Sequence, residues 1–278
     1  MDFMDLIRNR SLIAPGVFDP LSALIASRAG FEAIYLSGAS ISYTYLGLPD
    51  LSFTNLTDVE SALRRISGRV STPIICDADT GYGNEVNVSH TVRILEKSGA
   101  SAIQLEDQDL PKRCGHLSGK SVIPVEEMRL KIRSAIESRK DAAIIARTDA
   151  ATVNGIEDAI DRANLYIEEG ADIVFVESPR NLEEVKMISR KVRGPKLINM
   201  VEGGKTPIIE FNILSELGFN IVIYPGSAVR AITNTLTLMY STLIRDGTTS
   251  GFRNNMVDFN ELQKILGTNE LMNRFTLK

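Results

Sequence analysis

Four acids stand at or near places where apolar runs of this 278-residue chain stop. Asp77 and Asp79 close "TPIICDAD" (72–79), Glu106 lies at the end of "ASAIQLED" (100–107), and Asp50 precedes them in "GLPDLS" (47–52). They offer hard oxygens and no soft ligand, a set that suits Mg²⁺, or Mn²⁺ in its place, and not zinc. Mg²⁺ usually keeps several waters, so some of these acids are expected to act through water. Arg147, in "AAIIARTD" (142–149), has the planar fork that binds a carboxylate at two points. Together they suit a small, multiply anionic, oxygen-rich substrate. A second group lies in "LPKRCGHLSGK" (110–120), which holds one of two cysteines and one of two histidines, with Lys112, Arg113 and Lys120 around them.

Elements must bring these residues together. Short apolar, β-branched runs recur at 12–18, 31–38, 72–79, 100–107, 142–149, 171–178, 196–204 and 219–226. They are almost continuously apolar, as strands covered on both faces are. Helical patterns separate most of them. "VNVSHTVRILEKSG" (86–99) stops at a glycine, "GIEDAIDRANLYIEEG" (155–170) follows Asn154, and "NLEEVKMISRKVRG" (181–194) has Asn181 as its cap. Eight strands alternating with helices predict a (β/α)8 barrel, with a doubly wound open sheet as the alternative. The barrel is expected over 1–246 and a helical tail over 247–278, with a helix at about 227–246, a loop "DGTTSGFRNN" and a last helix from about Asp258.

In such a barrel the chemistry lies at the C-terminal strand ends. Those ends read Ser37-Gly38, Asp77-Ala78-Asp79, Glu106-Asp107, Arg147-Thr148-Asp149, Glu177-Ser178 and Glu202-Gly203-Gly204, while the N-terminal ends are bland. Polar loops alone do not explain charges that directly follow apolar runs.

Composition narrows the function classes. The net charge of −4 carries no basic excess for nucleic acid. No apolar run reaches the ~18 residues that span a bilayer, and "MDFMDLIRNRSLIAPG" lacks the pattern of a signal peptide. Two cysteines make no disulfide framework. The expected setting is reducing and cytoplasmic.

"DADTGYGN" (77–84), "LEDQ" (105–108), "PKRCGH" (111–116), "ARTDA" (146–150) and "NMVEGGKTP" (199–207) together resemble the isocitrate lyase/phosphoenolpyruvate mutase superfamily over about residues 10–245. Within it the chain resembles 2-methylisocitrate lyases, dimethylmalate lyases and petal-death-type oxaloacetate hydrolases. The resemblance implies a barrel whose eighth helix is exchanged between subunits of a homotetramer. It implies that Asp77 touches Mg²⁺ and that Asp50, Asp79 and Glu106 hold its waters. Ser37, Gly38 and Arg147 would bind the oxo-acid part of a di- or tricarboxylate, and Glu177, Asn199, Glu202, Gly203 and Gly204 complete the substrate set. Lys112, Arg113, Cys114, Gly115 and His116 form a gating loop, with Cys114 as general acid beside the catalytic Arg147 and Glu106.

The implied reaction is a retro-aldol cleavage, giving pyruvate or glyoxylate and a carboxylate such as succinate. The carbanion half needs a proton. Cations at 112 and 113 with His116 are expected to lower the pKa of Cys114, while Gly115 and Gly119 let the loop close. Typical bacterial 2-methylisocitrate lyases read "TEFGxTP" where this chain has "VEGGKTP" (201–207), and tend to carry His where it has Gln104. The paired glycines predict extra room for alkyl groups. The other readings are oxaloacetate hydrolysis to oxalate and acetate, phosphorus–carbon rearrangement, which the cysteine-bearing loop argues against, and a non-catalytic barrel. Blander expectations hold elsewhere. Cys76 belongs to the core and His90 to a helix surface. Glu177 pairs with Arg147 or joins the pocket. "GHLSGKS" (115–121) misses phosphate-loop spacing by one residue, and Cys114 with His116 lacks the further ligands of a zinc site.

Overall fold

The computed structural model describes residues 3–8 and 10–275. Eight parallel strands close a barrel in sequence order. They are β1 (Leu12–Val17), β2 (Ile34–Leu36), β3 (Ile74–Asp77), β4 (Ala102–Glu106), β5 (Ala143–Thr148), β6 (Ile173–Val176), β7 (Lys196–Asn199) and β8 (Ile221–Tyr224). β1 pairs with β8 from Leu12↔Ile221 to Pro15↔Tyr224, so no edge is left open there. The barrel is therefore the predicted one, and the open-sheet alternative is excluded.

Successive residues of a strand face opposite sides. Ile74, Cys76, Ile103, Leu105, Ile144, Ala146, Val174 and Ile198 face outward, in one core with the surrounding helices. Ile75, Ala102, Ala143, Ile145, Ile173, Phe175 and Leu197 fill the barrel. Continuing each inward series by two residues reaches Asp77, Gln104 then Glu106, Arg147, Glu177 and Asn199, which are all buried. The interior is thus apolar below and polar at the C-terminal end. The period of the strand itself aims the polar ring.

Local chemistry sets the helix starts. Asn84 caps the helix Glu85–Lys97 by accepting from Val86 and Asn87 backbone N–H groups, and Asn181 caps Leu182–Lys191 through Glu184 N–H. After β2 the chain forms Gly38–Ile41, then a π-helical turn Ser42–Leu46 that the sequence pattern did not reveal. Gly47 stops that turn in the left-handed region at φ 65°.

The chain divides into two compact units, Met1–Ala228 and Val229–Lys278. The division falls at 228, inside the helix Ser227–Asp246. All eight strands lie before it. In the second unit the tail holds two helices where one was expected. Phe259–Leu266 and Thr268–Phe275 are separated by Gly267, left-handed at φ 72°. No described helix is long and apolar enough to cross a membrane.

Candidate active site

The inward ring and the loop 110–120 enclose a narrow cleft, and most of the expected residues meet in it. Ser37, Asp50, Asp77, Glu106, Lys112, Arg113, Gly115, His116, Arg147, Glu177 and Asn199 line it, with Tyr35, Phe175, Ile223 and Pro225 as its apolar walls. Its volume is about 50 Å³, room for a water or two, whereas small-molecule sites run to hundreds of Å³. The loop is closed, and it must move to admit a substrate. A far larger hollow of 1280 Å³ lies at the N-terminal strand ends, away from this ring.

The acids are held in defined orientations. Asp77 accepts from Gln104 Nε2 at 3.1 Å and from the Asp79 backbone N–H at 3.3 Å through one oxygen, and from Gly38 N–H at 3.3 Å through the other. Tyr35 donates to Gln104 at 3.0 Å and so orients it. A Cβ on Gly38 would press to 3.2 Å from Asp77 and 3.3 Å from Asp79, which gives the Ser37-Gly38 pair its reason. Ser37 itself caps the short helix after β2 by accepting from Ser40 N–H.

Lys112 Nζ stands 2.5 Å from Asp50 and 2.6 Å from Asp79, with all three side chains buried. Even so, burial pushes the Asp79 carboxyl up to about 6, with Asp77 and Asp50 adding to it against Lys112. Burial likewise raises Glu106 well above its ordinary range, with Arg147 opposing. Four acids face only Lys112 and Arg147, an excess of negative charge that suits a divalent cation. Glu106 Oε1 is buried without a hydrogen-bond partner. Among the described residues, no three acid, His or Cys side chains form a cage on their own.

Arg147 is fixed from three sides. It donates to both oxygens of Asp149, at 2.9 and 3.0 Å, and stands 3.0 Å from Glu106. Its guanidinium lies over the Phe175 ring, 5.4 Å from the centroid.

The loop departs from expectation in its electrostatics. Burial raises the Cys114 thiol from its ordinary 9.0, and Asp50 and Glu177 add to the rise. The His116 backbone N–H and Arg147 oppose it without reversing it. The expected lowering by Lys112, Arg113 and His116 fails for a geometric reason. Lys112 turns into the acids, and Arg113 is exposed and donates to the Ser118 carbonyl at 3.1 Å. Burial lowers the His116 pKa, and its Nδ1 accepts from the Lys205 N–H at 3.0 Å. That hydrogen-bond pattern assigns the imidazole proton to Nε2, which lies 3.1 Å from Glu177 but makes no hydrogen bond there. Glu177 therefore faces His116, accepts from Ser178 at 2.9 Å and from Asn199 at 3.3 Å, and makes no ion pair with Arg147.

Gly38, Asp79, Cys114, Glu202, Gly203 and Gly204 are not among the residues lining the cleft. Glu202 and Gly203 are exposed, and Glu202 accepts from Ser227 at 2.6 Å. Gly204 packs on the loop instead, since a Cβ there would meet His116 Nδ1 at 2.7 Å. Gly204 thus makes room for the loop histidine. Cys114 is half-buried beside the cleft, not among its lining residues. Cys76 is buried in the core, and His90 is exposed on its helix, as expected. Sequence reasoning missed Gln104 as the orienter of Asp77 and Lys120 as the partner of Asp149. The period-two count from Ala102 would have turned Gln104 inward. Nothing local marks the destination of Lys120.

Residues 3–243 match the family described as phosphoenolpyruvate phosphomutase. The chain is 41% identical to a 2,3-dimethylmalate lyase of Eubacterium barkeri, covering 96% of this chain and 93% of that one. It is 44% identical to a 2-methylisocitrate lyase of Aeropyrum pernix, covering 97% and 88%. Among solved structures, an oxaloacetate acetylhydrolase holding 3,3-difluorooxalacetate aligns at a TM-score of 0.92 with 32% identity, over 98% of this chain and 94% of that one. A phosphonopyruvate hydrolase holding oxalate and Mg²⁺ aligns at 0.86 with 29% identity, over 96% and 94%.

Proposed function

The chain belongs to the phosphoenolpyruvate mutase/isocitrate lyase superfamily and is a lyase, and from that premise we propose that it is Mg²⁺-dependent and cleaves an alkyl-substituted malate or a 2-methylisocitrate-like acid. The products are a 2-oxo acid, pyruvate or glyoxylate, and a carboxylate such as succinate. One observation carries the reading. The inward ends of five strands present acids, an amide and an arginine under a loop that brings a protonated thiol beside them.

Asp77 would hold Mg²⁺ directly, with Asp50, Asp79 and Glu106 acting through waters; the bound ion supplies positive charge to the oxygens of the oxo-acid half. Arg147 and Ser37 bind the carboxylate of that half. The substrate hydroxyl gives up its proton, its oxygen becomes the 2-oxo group, and the carbon–carbon bond breaks. We assign acceptance of that proton to Glu106, because its Oε1 is buried at the cleft without a hydrogen-bond partner. The bond electrons leave on the carbon beside the second carboxylate, and the Cys114 Sγ–H protonates it. A raised thiol pKa keeps this donor protonated at neutral pH. His116 and Asn199, held against Glu177, form the far wall.

The likeness to oxaloacetate acetylhydrolase supports a second reading, hydrolysis of oxaloacetate in the same cleft. A product screen separates the two. A panel of substituted malates, 2-methylisocitrate and oxaloacetate is incubated with the protein, and pyruvate, glyoxylate and oxalate are measured. Turnover of the β-hydroxy acids, abolished by chelator and restored by Mg²⁺ or Mn²⁺, is the expected result. Oxalate from oxaloacetate alone makes the chain a hydrolase, and full activity in chelator removes the metal.

The exposed apolar residues Leu236, Leu238, Tyr240 and Ile244 on the helix Ser227–Asp246 support assembly into a homotetramer with that helix exchanged, which light scattering checks.

A further inference from the structure

Lys120 ends the loop whose chemistry centres on Cys114, and the mechanism above does not use it. Its side chain is 2% exposed and that of Asp149 is wholly buried, with Lys120 Nζ 2.6 Å from Asp149 Oδ1. The same ammonium donates to the Gly115 carbonyl at 2.5 Å, and Ser178 Oγ, whose single proton is shared between Glu177 at 2.9 Å and that carbonyl at 3.1 Å, lies on its other side. Gly115, next to Cys114, is thus pinned from two sides.

Asp149 is in turn a fixed platform. Its backbone N–H donates to Asp107 at 2.9 Å, and Asp107 accepts from Tyr166 at 2.8 Å and stands 3.3 Å from Arg162. Both Asp149 oxygens bind Arg147, and Oδ1 is shared between Arg147 and Lys120. Burial alone would raise this carboxyl, but Arg147 and Lys120 overcome it and hold it below the usual range. These contacts hold Asp149 independently of the loop. Gly119, at φ 78°, sits one residue before Lys120 and supplies a backbone conformation that L side chains rarely adopt. A cleft of about 50 Å³ requires opening for substrate entry, and opening must draw this ammonium off Asp149 or break the pinning of Gly115.

We propose that Lys120 is a positioning residue that latches the closed gating loop onto Asp149, and through Asp149 holds the Arg147 guanidinium in place for the substrate carboxylate. The proposal rests on the lyase reading for what Arg147 binds, but the latch itself does not depend on turnover. A latch of this kind makes closure and carboxylate binding one event: the loop that delivers the acid also completes the charge around the arginine.

The two free cysteines provide the test. Cys76 is wholly buried and silent, so iodoacetamide reports on Cys114. Labelling is followed at one pH in the wild type, Lys120→Met and Lys120→Arg, with and without Mg²⁺ plus oxalate. Lys120→Met is expected to label about tenfold faster, equal to roughly 1.4 kcal/mol of lost closure. Its kcat should fall with the thermal midpoint held, and Lys120→Arg should recover part of both. Asp149→Asn, which removes the ion pair from the other side, should also speed labelling and keeps the test decisive where Lys120→Met does not fold. Wild-type labelling rates in Lys120→Met, or in Asp149→Asn should the first not fold, overturn the latch. A wild type that turns over no acid of the panel defeats the lyase reading instead, and the labelling still decides the latch.

Discussion

At the residue scale, the thiol of Cys114 has the opposite electrostatic character from the one its neighbours in sequence suggest. A reactive thiolate needs cations and exposure; this thiol has burial and the carboxylates of Asp50 and Glu177. The consequence has a definite sign. The folded-state pKa lies above the ordinary 9.0, so folding favours the protonated form. The stability linked to this group is fully present below the unfolded pKa and is lost as pH rises through the folded value. The iodoacetamide rate of Cys114 should therefore rise with a midpoint above 9.0; a midpoint below it would return the thiol to the activated class. Cys114→Ala is expected to lower kcat by roughly 10²–10⁴, the range for a positioned acid, with little change in substrate binding. Near-full activity of that variant on the true substrate would remove the thiol from the mechanism.

At the element scale, the gating loop covers the cleft at Gly115, which has no room for more atoms. A Cβ on Gly115 would come to 2.6 Å from Arg147 Nη2 and 2.7 Å from Glu177. These side chains are buried and engaged, so they cannot step aside cheaply. Gly115→Ala should leave the thermal midpoint almost unchanged while lowering kcat/KM, because the loop is held open where substrate must be covered. Wild-type kcat/KM in this variant would mean that the loop closes less tightly during turnover than it does here. The "VEGGKTP" segment belongs to the same account: Gly204 and the Lys205 N–H receive His116 when the loop comes down.

At the scale of the whole molecule, everything depends on barrel closure between β1 and β8. Gly16, in β1, has the Pro225 carbonyl oxygen 2.2 Å from where a Cβ would be. Both contacting groups are backbone, so neither rotates away. Gly16→Ala should cost about 1–3 kcal/mol by overpacking and lower the melting temperature by several degrees. Since Pro225 also lines the cleft, kcat/KM should fall too. An unchanged melting temperature would show that the seam yields more readily than its backbone contacts imply.

The amino-acid order alone determined the strands, the barrel and most of the polar ring. Strand alternation is a property of adjacent residues, so counting by two from Ile75, Ala143 or Ile173 arrives at Asp77, Arg147 or Glu177 without any knowledge of neighbours in space. Cap residues such as Asn181 act within one turn and were readable for the same reason. The π-helical turn Ser42–Leu46 was not, since no residue pattern in that segment marks it. Nor was the fate of the loop cations. Lys112 meets Asp50 across 62 positions and Lys120 meets Asp149 across 29. Which charge lies beside which, and how little water screens them, decides the pKa of Cys114, the partner of Glu177 and the hold on Arg147. Those quantities depend on distance and burial, and only the folded chain sets either one.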